Sequence, residues 1–97
     1  MPPKKKKKID YEALRSSHMK IPQMKVDIAR GLLDIGIKES FELIGRAPEV
    51  ILEEMLRKQP ALRTIPDIKE RVSLAIYFVE NEEREPHKLK LSYWSSL

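Results

Sequence analysis

The chain has 97 residues, 41% of them apolar and six of them aromatic, enough to fill one modest core and too little for two. It contains no cysteine, which excludes disulfides, thiolate catalysis and cysteine-held zinc, and no apolar run approaches the roughly 20 residues that span a bilayer. The net charge of +4 comes from one place: Lys4, Lys5, Lys6, Lys7 and Lys8 are five of the 19 basic residues, and the remaining 14 stand against 15 acidic residues, a body of net charge −1.

Five consecutive lysines behind Pro2-Pro3 repel one another and bury nothing. Residues 1–9 are therefore expected to form a disordered basic arm ahead of a single domain, residues 10–97. Such an arm either solubilises the chain or attracts phosphate without sequence preference, in a contact that weakens steeply with salt. No apolar core of a secretory signal follows it, so the expected location is cytoplasmic.

Asp10 is a suitable N-cap for a short helix reaching Ser17, with Tyr11 and Leu14 three apart on one face. Pro22 is expected to open the next helix, which carries Val26, Ala29, Leu32 and Leu33 on its apolar face, runs to about Ile35 and stops at a left-handed Gly36. Lys38 to Ile44 gives one or two turns that present Phe41 with Ile44 or Leu43 to the core, closed by Gly45. Ala47-Pro48 opens a further helix with Glu49 in its first turn, a buried stripe of Ile51, Leu52, Met55 and Leu56, and an end before Pro60. The longest helix is expected from Pro66 to about Asn81, with Ile68, Val72, Ala75, Ile76 and Val79 at helical spacing. Leu74 and Phe78 widen that stripe and make the helix central. Glu80, Glu82, Glu83 and Glu85 then form a solvated acidic run. From Lys88 to Trp94 the alternation of Leu89, Leu91 and Tyr93 predicts an extended tail across the bundle, with one of the Tyr93 and Trp94 rings docked and the other partly exposed. The fold class is all-α, a bundle of four to five helices.

Met19 to Ile37 has the outline of a helix-hairpin-helix element: Ile21-Pro22, a short turn, an amphipathic helix, then Gly36-Ile37. In such a hairpin, small turn residues let backbone amides meet phosphate oxygens, and the following helix N-terminus favours the anion. Here Gln23 and Lys25 occupy the small-residue positions, so close approach requires their backbone to adopt the turn regardless. Lys25 offers a charge contact in exchange, with Met24 beside it, Lys20 and Arg30 flanking it, and Asp27 subtracting. The candidate nucleic-acid-binding residues are thus Lys4, Lys5, Lys6, Lys7, Lys8, Lys20, Gln23, Met24, Lys25 and Arg30. Ile65-Pro66-Asp67-Ile68-Lys69 echoes Ile21-Pro22-Gln23-Met24-Lys25, either as a duplication or because Ile-Pro is a good helix start.

Catalytic and metal chemistry is not advertised. His18 and His87 lack partners at metal-ligand spacing and read as surface residues. Ser16-Ser17-His18 are adjacent in sequence, which is not the spatial arrangement a nucleophile and its base require. Glu53-Glu54 and the acidic run read as solvated charges, and there is no glycine-rich phosphate loop. No enzyme activity, cofactor or metal is expected.

The order of these motifs resembles the small bacterial pathogenicity-locus proteins, also labelled mitomycin-resistance-like. The matching stretches are Ile21-Pro22, Leu33 to Ile37, Ser40-Phe41-Glu42-Leu43, Pro48 to Met55, Ala75-Ile76-Tyr77-Phe78, and Glu85 to Lys90 with Tyr93-Trp94, together covering about Met19 to Trp94. The resemblance implies a helix-hairpin-helix-like (SAM-like) bundle presumed to bind DNA. Two functions follow as expectations. One is a non-enzymatic module that contacts the phosphate backbone of DNA or another nucleic acid without reading sequence. The other is a protein-interaction or scaffold module on the same bundle. A membrane is not among the expected partners.

Overall fold

A computed structural model describes residues 9–96; the lysines of the basic arm lie outside the described residues. Those residues form five α-helices joined by short 3-10 turns, with no strand among them. Helix α1, Tyr11–Arg15, starts at Asp10, whose carboxylate accepts the Ala13 N–H at 3.1 Å. Its inward face differs from the one expected. Ala13 is fully buried against α2, where its small side chain permits close approach, while Tyr11 and Leu14 are exposed.

Helix α2, Val26–Asp34, begins four residues after Pro22 rather than at it. Ile21 to Met24 instead make a tight turn, closed by the Met24 N–H on the Ile21 carbonyl at 3.3 Å, with Gln23 at φ +66°. Proline at the second position and a positive φ at the third are the signature of a type II turn, and a left-handed residue cannot continue into a right-handed helix. Lys25 is extended and serves as the N-cap. The other end follows the sequence closely. Gly36 sits at φ +92°, and the Gly36 and Ile37 N–H groups return to the Leu33 and Leu32 carbonyls at 3.0 and 2.9 Å, which seals α2 and buries Ile37. Within α2, Gly31 faces Met55 and Leu62 so closely that a methyl group there would stand 3.0 Å from each.

The 3-10 turn Ser40–Leu43 is fixed by reciprocal bonds between Glu39 and Glu42, but it buries Leu43 alone. Of the expected pair, Leu43 and not Ile44 takes the inward place, and Phe41 is turned outward against expectation; Phe41 and Ile44 are 64% and 54% exposed. With three residues per turn, Ser40 and Leu43 share one side, so Phe41 and Ile44 share another. Helix α3, Pro48–Lys58, has Pro48 at its first turn and buries Ile51 and Met55, with Leu52 and Leu56 half-buried beside them. After the 3-10 turn Pro60–Thr64, helix α4 runs over Ile68–Glu80 and buries Val72, Leu74, Ala75 and Ile76 against α3, Ser40–Leu43 and the C-terminal segment. It starts two residues later than expected because Asp67 is left-handed, φ +58°.

The C-terminal segment is helical, not extended. A 3-10 turn, Pro86–Leu89, leads into α5, Leu91–Ser95. The Trp94 indole N–H donates to the Lys88 carbonyl at 2.8 Å, folding the segment back on itself, and the Trp94 ring lies 5.8 Å from that of Tyr77 on α4. Leu91 and Trp94 are three apart as well as part of an alternating pattern, and so short a run fits both periods. Tyr93 and Trp94 are both half-buried.

Candidate nucleic-acid interface

The turn between Lys20 and Val26 holds four of the residues singled out from sequence. Lys20 closes the 3-10 turn Ser17–Lys20 and is exposed. Gln23 is exposed at the left-handed corner, and Met24 turns inward to pack on the core. Lys25 is exposed at the start of α2; its carbonyl accepts from Ile28 and Ala29, both at 3.0 Å, and no side chain caps the helix. Neither Lys20 nor Lys25 makes an ion pair among the described residues. The backbone thus takes the bend that glycine normally supplies, with a lysine on either side.

Arg30 is committed elsewhere. Its guanidinium meets Asp10 through Nε at 2.8 Å and Nη2 at 2.9 Å, Glu12 at 2.7 Å and Asp34 at 3.2 Å. The bidentate contact with Arg30, reinforced by the Ala13 N–H, holds the Asp10 carboxyl down at about 2, against an ordinary value of 3.8. The same carboxylates push the Arg30 guanidinium up, keeping it firmly charged. Arg30 therefore joins α1 to α2 and has little left to offer a phosphate. In Ser40–Leu43, the Glu42 carboxylate accepts the Glu39 and Lys38 N–H groups, and its pKa is lowered for that reason.

A second turn, missed as part of the site by sequence reasoning, repeats the first. Ile65 N–H bonds the Leu62 carbonyl and Ile21 N–H bonds the His18 carbonyl, both at 3.0 Å, so each Ile-Pro is entered from a 3-10 turn. Each proline is followed by a left-handed residue that is not glycine, Gln23 or Asp67. Arg71 touches both turns: Nη1 donates to the Gln23 carbonyl at 2.7 Å and Nε to the Pro66 carbonyl at 3.1 Å. The Ile-Pro echo was the available signal for the second turn. Nothing local marked Arg71.

His18 is fully buried, contrary to the surface role expected. Its Nε2 lies 2.8 Å from the Ile37 carbonyl, so the ring donates there, and Nδ1 is buried with no partner among the described residues. The bond ties the entrance of the first turn to the exit of α2. His87 is exposed beside Glu85 at 3.5 Å. Among the described residues, no three or more His, Asp or Glu side chains gather where they could hold a metal ion. A surface groove of about 520 Å³ is lined by Glu49, Leu52, Glu53, Leu56, Arg57, Arg63 and Lys69 and includes no residue of the first turn. No described helix is long and apolar enough to cross a membrane. No protein-family model matches the chain, and no curated protein or solved structure is significantly similar to it.

Proposed function

We propose that the protein is a small, non-enzymatic nucleic-acid-binding module that contacts the phosphate backbone without reading base sequence. The observation that carries this reading is the backbone at Gln23. A helix-hairpin-helix contact needs a tight bend ahead of a helix N-terminus, and the left-handed Gln23, φ +66°, gives the chain a bend of that kind without glycine. Lys20 and Lys25, exposed and unpaired among the described residues, supply the charge. The lysines at positions 4–8 add an unspecific, salt-sensitive attraction. The resemblance of its motif order to that of the pathogenicity-locus proteins points to the same reading. Titration of fluorescently labelled duplex and single-stranded DNA at two salt concentrations tests it. Binding that weakens at the higher salt and falls when Lys20 and Lys25 are changed to Ala is expected; no binding by the full chain at low salt overturns it.

A second reading, a protein-interaction module, is favoured by Phe41 and Ile44, exposed side by side on a turn fixed by its own capping bonds. Rigid exposed aromatic side chains are typical of interface hot spots. Sedimentation of the chain with candidate partners, alone and with Phe41→Ser, tests this reading; unchanged association in the variant counts against it.

A further inference from the structure

Arg71 lies on α4, 48 residues from Gln23, yet its guanidinium serves two separate turns. The Gln23 carbonyl is taken by Nη1 and the Pro66 carbonyl by Nε. Left-handed residues turn their neighbouring carbonyls out of any helix ladder, leaving them to water or to a side-chain donor. Arg71 supplies it for both turns at once. Its charge is not spent on a carboxylate, since no ion pair among the described residues includes it. Arg30, by contrast, faces three carboxylates, and Arg57 faces Glu53.

We propose that Arg71 is a positioning residue that clamps the Ile21–Lys25 turn to the Ile65–Lys69 turn, so that a nucleic acid meets the two as one rigid surface. This rests on the nucleic-acid reading above. A planar fork holds two acceptors at a fixed spacing, which the single ammonium of a lysine cannot reproduce. Prealigned turns also spare the complex the entropy of ordering them on binding.

The test compares the full-length protein with its Arg71→Lys and Arg71→Ala variants. Duplex DNA is titrated at two salt concentrations, and backbone amide NMR spectra are recorded for each protein. Arg71→Lys keeps the charge, so the expected loss of about tenfold in affinity, the equivalent of one hydrogen bond to a charged group, isolates the clamp. The amides of Met24, Lys25 and Ile68 are expected to shift in that variant, while those of Ile51 and Leu74 in the core stay in place. Wild-type affinity in Arg71→Lys with weakened binding in Arg71→Ala overturns the proposal, because Arg71 then acts only as a charge. Shifts spread through the core also overturn it, since Arg71 is then a structural residue. Failure of the wild-type protein to bind at low salt removes the nucleic-acid reading and this proposal with it. Equal binding by wild type and both variants removes this proposal alone.

Discussion

Gln23 holds a left-handed backbone that costs a residue with a side chain about 1–2 kcal/mol relative to the right-handed region. Gln23→Gly is therefore expected to stabilise the protein by roughly 0.5–1 kcal/mol, read as a higher urea midpoint at unchanged slope. The same change removes the side chain that stands before the turn, so duplex affinity should rise with it. A variant that is stabilised yet binds no better places the phosphate contact away from Gln23. His18 makes the opposite kind of contribution. His18→Leu keeps the packing volume but leaves the Ile37 carbonyl buried without its donor, and is expected to cost about 1–3 kcal/mol in denaturant titration. The turn at Gln23 was legible as a motif because Ile-Pro fixes two of its residues. The burial of His18 was not legible, since between Ser17 and Met19 nothing in the local pattern says which way a 3-10 turn will face.

Helix α1 has five residues, too few to stand alone, so its place on α2 depends on Ala13 packing and on the Arg30 cluster. Because the folded-state Asp10 carboxyl is held at about 2 and its ordinary value is 3.8, the folded form takes up the proton less readily than the unfolded one. The contribution is present in full above pH 4 and is lost as the pH falls from there toward 2. Asp10→Asn is expected to be less stable than wild type at pH 6, with the gap narrowing below about pH 3.8; thermal unfolding followed by circular dichroism across that range reads it. A gap that is constant with pH would mean that Asp10 acts as a neutral cap alone. Elements with local start and stop chemistry, Pro48 for α3 and Gly36 for the end of α2, were legible to within a residue or two. The inward face of α1 and the helical C-terminal segment were not. Those were decided by contacts across the fold, Ala13 on α2 and the Trp94 indole on the Lys88 carbonyl.

At the level of the whole molecule, positive charge is concentrated in residues 4–8 while the rest is nearly balanced. If all five lysines neutralise phosphates, deleting residues 1–8 lowers the steepness of log duplex affinity against log salt by as much as about 4.5. Residual binding by the truncated chain that is still lost on changing Lys20 and Lys25 to Ala is the expected outcome. Truncation that abolishes binding outright would assign the whole activity to the arm. The all-α class could be read from apolar spacing and proline placement alone. That the two Ile-Pro turns lie within reach of a single side chain could not, because Arg71 is joined to Gln23 only through the packing of α4 against the rest of the bundle.

Trp94 is the sole tryptophan, and it sits where the C-terminal segment folds onto α4, its ring near Tyr77 and Tyr93. Intrinsic emission excited at the red edge therefore comes from one place and reports one event, the seating of that segment. Ligand arriving at the Ile21–Lys25 turn should leave the signal quiet, while peeling of the C-terminus should move it before the far-ultraviolet signal changes. The protein carries its own optical gauge for separating local fraying from global loss of structure.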